Sequence, residues 1–493
     1  MTEPVGVANF AQVHCTLHVS QFGAADLPPP SATEHPDQNV THRKNGRRRM
    51  TWFMSRWDAL RGSFWFVPLV MVGGAILLSL ATLTADQAAA ERGTALALDW
   101  SFARGPEGSR AVLATVAGSM ITIASVCFSI TIVALQQASS QFGPRLLHNF
   151  MRDRGNQFVL GTFIAGFTYC LLILRTVNGT AEHQFVPHLS VTVGLLLALA
   201  GVAVLIYFVH HAASSIQAEN VIAAVARDLR DAIDRLYPNS IGRGAADVPH
   251  ARTPLPADFE ATAVPVPAGA SDYLQAVDAD RLIRLAVEHD LVLHLDCRPG
   301  QFVIKGNPVL RAWPVARCPD EVAGHLRDAF IFGPRRTLFQ DVEFAVDQLV
   351  EIALRALSPG INDPFTALAC VDRLGAAVVE IAARPVPSPL RHDEKGVLRV
   401  VAEPVTMAGF ADAAFHQIRQ AARTNAAVTL RLLEVIAAVA PQVKDAGLRD
   451  ALLSHADLIH RESQVGLPAD ADRADARTRY EKVKEIFALP PQA

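Results

Sequence analysis

Residues 111–135 read AVLATVAGSMITIASVCFSITIVAL, an unbroken run without Asp, Glu, Lys, Arg or His. A helix rises about 1.5 Å per residue, so roughly 20 apolar residues cross the hydrocarbon core of a bilayer. Three further runs, 64–84, 158–174 and 189–209, are equally free of charge. The third of the four is short, and Arg175 at its rim can snorkel toward the headgroups. Backbone polar groups find no water inside lipid, so runs of this kind are helices. The four predict a multi-pass α-helical membrane protein whose transmembrane domain occupies residues 51–210.

Composition fits that division. Of 493 residues, 50% are hydrophobic and 19% are charged, below the roughly 25% of soluble domains. All 45 basic and 48 acidic residues lie outside the four runs. The shortage of charge therefore belongs to a membrane block, and the remainder has a nearly ordinary charge density. A net charge of −3 offers no global basic surface, which argues against nucleic acid as a partner. The cysteines at 15, 127, 170, 297, 318 and 370 form no CxxC pair, and they read as free thiols rather than a metal or disulfide frame.

Basic residues set the expected orientation. Arg43, Lys44, Arg47, Arg48, Arg49, Arg56 and Arg61 precede the first run. Arg145, Arg152 and Arg154 lie between the second and third, and Arg227, Arg230 and Arg235 follow the fourth. The loop 175–188 has only Arg175, and the loop 85–110 offsets its arginines with Asp86, Glu91, Asp99 and Glu107. This bias predicts that both termini and the 136–157 loop are cytoplasmic, with Trp52, Trp57, Trp65 and Phe66 as interfacial aromatics. Residues 1–50 are polar, contain Pro28-Pro29-Pro30, and predict a disordered cytoplasmic tail. Met50 and Met54 are alternative starts to Met1.

Beyond the fourth run, Ile222, Val225, Leu229, Ile233 and Leu236 recur at helical spacing, which predicts an amphipathic helix leaving the membrane over 211–237. A Pro-rich linker is expected over 238–271 and an α+β cytoplasmic domain over 272–470. Within it, Asp278 should cap a helix over 279–289. Short β-rich runs at 291–295, 301–304 and 308–313, separated by the Pro299-Gly300 and Gly306-Asn307 turns, read as strands and a hairpin. The stretch PGQFVIKGNPVL resembles the turn-strand-turn pattern of barrel-sandwich domains of the biotinyl type. It lacks their modified-lysine motif, so the resemblance concerns geometry and not cofactor attachment. From Asp341 a helix with Val342, Val346, Leu349, Ile352, Ala353, Ala356 and Leu357 on one face should stop at Ser358-Pro359-Gly360. Asp363 and Pro364 should start the next, as cap and first helical residue. Two further helices are expected near 410–440 and 447–462, and a charged helix over 471–493.

Several stretches together resemble a bacterial family of predicted membrane proteins, domain of unknown function 2254. They are RGSFWFVP from Arg61, SQFGPR from Ser140, His210-His211 with Ser215-Ile216-Gln217, Arg336-Thr337 with Gln340-Asp341, and ALSPGINDPFTA at 356–367. The resemblance implies an integral membrane protein with a cytoplasmic domain, in a bacterial inner membrane. It implies no activity.

Four features are candidates for function. Ser119, Thr122, Ser125 and Ser129 share a face of the second run, and Gln136 and Ser140 extend it. Such a stripe lines a water-filled ion path or lets helices pack closely. The path reading requires a homo-oligomer, because four helices leave little room for an internal pore. His210 and His211 stand at the inner end of the fourth run. About 100° apart on a helix, they are not an i, i+4 metal pair and read as interfacial residues. Ser358, Pro359, Gly360, Asn362, Asp363 and Pro364 form either a site for a ligand cation or a second subunit, or a tight helix corner. Arg335 and Arg336 are a surface pair or a phosphate contact. The chain has no Walker loop, HExxH, GxSxG or kinase set, so neither a catalytic residue nor a cofactor nor a metal is assigned. The function that fits best is an oligomeric channel or pore-like protein with a cytoplasmic gating or assembly domain. The alternative is a membrane-anchored sensor or interaction module without conduction, and the permeant ion or small ligand is not specified.

Overall fold

The computed structural model describes residues 65–91, 105–143, 153–180, 183–237 and 255–489. The expected tail over 1–50, the alternative starts, Trp52, Trp57, the arginines before the first run and linker residues 238–254 lie outside the described residues.

Each charge-free run is the centre of a long helix: α1 (Phe66–Glu91), α2 (Pro106–Phe142), α3 (Arg154–Thr176) and α4 (His188–Ser215). A two-stranded ribbon, β1 (Asn178–Thr180) and β2 (His183–Phe185), joins α3 to α4. Helix α3 is the central member and packs on α1, α2 and α4. Glycines make those contacts close: a Cβ on Gly161 would lie 2.6 Å from Met71 Sδ, and one on Gly166 would enter Met120. Leu69, Leu77, Val133 and Ile206 point outward and are well exposed, as lipid-facing side chains must be.

Polar side chains lock both ends of the bundle. At the end remote from the α/β region, buried Asp86 accepts hydrogen bonds from Leu189 N (2.9 Å), Ser190 N (2.9 Å) and Ser190 Oγ (2.6 Å). Its carboxylate thus meets the free N–H groups and positive dipole end of α4. Tyr169 Oη lies 3.0 Å from Thr82 Oγ1 and donates to Ser190 O, also at 3.0 Å. At the other end Asp153 caps α3 through Gly155 N and meets His211.

After α4 the chain breaks and re-forms as α5 (Ala218–Leu236). The expected apolar face of α5 is buried, but against helices of the α/β region. Residues 255–271, read from sequence as linker, contribute α6 (Phe259–Thr262) and strand β3 (Val264–Pro267) to that region. The chain continues through β4 (Asp272–Val277), α7 (Ala279–Glu288), β5 (Val292–Leu295), β6 (Phe302–Val303), β7 (Pro308–Trp313), α8 (Asp320–Arg327) and β8 (Phe330–Gly333). Next come α9 (Val342–Ala356), α10 (Pro364–Ala382), β9 (Leu390–His392) and β10 (Leu398–Val401). Helices α11 (Met407–Ala422), α12 (Ala426–Val439), α13 (Ala446–Gly466) and α14 (Asp470–Ala488) complete it.

Two sheets form, ordered β3-β7-β5-β10-β9 and β6-β4-β8. Among the described residues only β5 and β10 pair in parallel. No hairpin closes across the Gly306-Asn307 turn, whereas β5 and β7 do pair antiparallel. β6 pairs with β4, while β7 pairs with β3 and β5, so the turn carries the chain from one sheet to the other. Each run satisfies its ladder with strands distant in sequence, which alternation alone does not specify.

The sheets and α7–α8 enclose one core, including Leu274, Leu293, Leu310 and Leu326. Helices α5 and α9–α14 enclose a second, larger one. Ala138 and Phe142, at the end of α2, belong to that helical core. At about 55 Å, α2 overshoots a bilayer core of about 30 Å, and its surplus is buried in protein.

Candidate functional site

The hydroxyl stripe sits on a free face of α2. Leu113, Ala117, Met120, Ala124 and Cys127 are buried toward α3 and α4. Ser119, Thr122, Ser125, Ser129 and Gln136 project from the opposite side and are exposed. Each hydroxyl donates to the carbonyl four residues earlier, at 2.8–2.9 Å. That bond satisfies the donor in an apolar medium and leaves the oxygen lone pairs facing outward. The stripe is therefore unused in the packing of the protomer and available to a neighbouring helix or to water.

The two histidines differ. His211 Nε2 lies 2.6 Å from Asp153 Oδ2, and a Cβ on Gly155 would approach its ring to 2.5 Å. His211 thus ties α4 to the start of α3. His210 is exposed on the adjacent face.

The segment 358–364 is a helix corner. Ser358 Oγ donates to Arg355 O (2.6 Å), Asn362 N to Ser358 O (2.9 Å) and Asp363 N to Ala356 O (2.8 Å). Asp363 caps α10 by accepting from Thr366 N (3.2 Å) and Thr366 Oγ1 (2.6 Å), with Pro364 as the first helical residue. The left-handed residue is Asn362, at φ 47°, and a Cβ on Gly360 would touch nothing. Asn tolerates that conformation better than other non-glycine residues. Pro359, Gly360, Ile361 and Asn362 are exposed at the tip.

Arg336 serves the junction between the two cores and is not free for phosphate. Its Nε and Nη2 bond both oxygens of Asp341, at 2.7 and 3.0 Å, and Nη1 meets Asp347. Asp341 in turn caps α9 through Phe344 N (3.0 Å). Gly300, at φ 95°, lets the backbone approach that carboxylate where any side chain would collide. Gln340 Oε1 accepts from Val277 N (2.8 Å) and its Nε2 donates to Val277 O (3.1 Å), which stitches β4 to the approach of α9. Beside it, Arg298 holds both oxygens of Glu343 at 3.0 Å. Burial still keeps the Glu343 carboxyl above its ordinary range.

Sequence reasoning missed a cavity next to this junction. It has about 450 Å³ and is lined by α7, β5, β10 and the β9 edge. His294, Asp296, Arg298, Gln301, Gln340, Arg391 and Glu403 supply its polar wall. Asp296 is held by Arg311 (2.9 Å) and lies 3.4 Å from His294 Nδ1. Arg391 donates to the carbonyls of Ser388 and Leu390, and among the described residues no carboxylate pairs with it. Burial lowers its pKa, as expected of a charge with no counter-ion. Cys297 also lines the space, but burial and Asp296 push its thiol up to about 12, so it is no nucleophile near neutral pH. An anionic group entering the cavity would meet Arg391. No sequence motif marks the place, because its residues come from separate strands.

Four apolar helices and an α/β region joined through α2 and α5 define a multi-pass membrane protein. The chain belongs to the family described as predicted membrane protein, domain of unknown function 2254, whose model matches residues 61–438. It is 33% identical over 449 residues to uncharacterized proteins of Mycobacterium tuberculosis and Mycobacterium bovis. The match covers 88% of this chain and 82% of those relatives. No solved structure matches it.

Proposed function

We propose that the protein is an oligomeric channel or pore-like protein of the bacterial inner membrane, with cytoplasmic termini and a cytoplasmic α/β region that assembles or gates it. The observation that carries this reading is the exposed hydroxyl stripe of α2. Brought together around a symmetry axis, Ser119, Thr122, Ser125, Ser129 and Gln136 of several copies would line one polar path. The same helix ends in the core of the α/β region, so a change there would reach the stripe through one continuous element. The arginines on the α/β side of the spans support the orientation.

The test uses the full chain. Nanodisc samples should contain a homo-oligomer, and liposomes should pass ions under a voltage, pH or osmotic step. Ser125→Leu should change conductance without loss of thermal stability, because Ser125 packs against no other helix of its own bundle. A strict monomer overturns the reading. An oligomer without flux supports the alternative, a membrane-anchored sensor or interaction module. That alternative is favoured by the cavity at Arg391, which has the size and the unmatched charge of a small-ligand pocket.

A further inference from the structure

We infer that the α9–α10 corner is a membrane-surface contact, with Ile361 and Phe365 set into the headgroup region of the leaflet on the α/β side. Phe365 is 81% exposed and Ile361 41%, in a segment where the only charge between Arg355 and Asp372 is Asp363. That carboxylate is already spent on Thr366.

Three registers set the height of this corner. Helix α2 runs out of the membrane block with increasing residue number, and α9 runs beside it in the opposite sense. Gly143 faces Glu351, and Arg355 Nε donates to Ser140 O at 2.9 Å. Continuing α9 past Arg355 therefore climbs α2 toward Leu135, the end of its charge-free run. Independently, α5 and α10 run side by side away from the membrane. Arg230 meets Glu380 and Asp234 meets Arg384, both at a separation of 150 residues. The same offset sets Phe365 level with Ser215, the last residue of α4. The third register extends the level across the bundle. Asp372 pairs with Arg431 and a Cβ on Gly375 would enter Val435, so α10 and α12 run parallel with their starts side by side. His455 meets Asp412 and Glu462 meets Arg419, so α13 ends beside the end of α11. Val465, 89% exposed, stands at that same end.

One end of the helical bundle thus faces the membrane and carries Phe365 and Val465, the two most exposed large apolar side chains among the described residues of the α/β region. Water is a poor neighbour for them, whereas the interface accommodates apolar and aromatic side chains.

The test places a reporter on the full-length protein in liposomes. Phe365→Trp adds an emission read as the difference from the parent, and Phe339→Trp is the control. Phe339 is also exposed and precedes the far end of α9, about 22 Å away. Phospholipids brominated high on the acyl chain should quench most of the added emission of Phe365→Trp and little of that of Phe339→Trp. A spin label at Ile361→Cys should collide more with oxygen than with a water-soluble nickel chelate. Equal quenching of both tryptophans by aqueous acrylamide, with no lipid effect, would overturn the inference. So would a Trp at 365 shielded from acrylamide and lipid alike, the result expected if a second copy covers the corner.

Discussion

Protonating His455 would put a second positive charge beside Arg419 in the helical core. The ring is almost fully buried, its Nε2 lies 2.8 Å from Asp412, and its Nδ1 has no hydrogen-bond partner. Burial holds its pKa below the ordinary 6.5; Asp412 opposes the shift, and Arg419 and His416 reinforce it. The folded chain therefore binds fewer protons here than the unfolded one. Stability from this group is fully present above 6.5 and is lost as pH falls through the folded value. His460, stacked on Tyr480 at 4.3 Å, is lowered too and adds a slope of the same sign. Thermal unfolding of the purified protein should shift down as pH falls below 6.5, and His455→Gln should flatten that dependence. An unchanged slope in the variant would show that this histidine does not set it. At this scale sequence was informative where partners are local. Asp278 and Asp363, read as caps, do cap helices through residues three positions on, and Asp341, read only as the start of a helix, does the same. The roles of Asp86 and His211 were not legible, because their partners lie 103 and 58 residues away.

Between elements, close approach matters more than propensity. Gly375 of α10 lies where a Cβ would run into Val435 of α12. Alanine favours a helix over glycine by up to about 1 kcal/mol, but overpacking a tight contact costs about 1–3 kcal/mol, and a β-branched neighbour yields little. Gly375→Ala should therefore destabilise the protein on balance. Val435→Ala alone should also destabilise, by leaving a gap. The double variant should be more stable than the two losses predict, and unfolding of all four proteins measures the coupling. Strictly additive losses would mean that the cost of Gly375→Ala does not arise from its contact with Val435. The long spans were legible because absence of charge is a one-dimensional signal. The division of β6 and β7 between two sheets was not, since both strands read alike and their partners are chosen by the whole domain.

On the scale of the whole molecule, α2 is the link between membrane and α/β parts. A charge-free run tells where a helix enters lipid, but not what happens to the turns that leave it. Here those turns insert Ala138 and Phe142 into a core otherwise built from residues beyond Ala218. Phe142 is 4% exposed, and truncating a buried phenylalanine to alanine typically costs about 3–5 kcal/mol. The loss should fall on the helical core, although the residue belongs to a membrane-spanning helix. Phe142→Ala should thus raise hydrogen exchange in α9 and α5, while the membrane-embedded turns of α1, α3 and α4 keep their protection. Faster exchange confined to the last turn of α2 would show that the two parts are merely tethered. Loosening spread through α9 and α5 would show that they fold as one, which is the condition for any signal from the α/β region to reach the hydroxyl stripe.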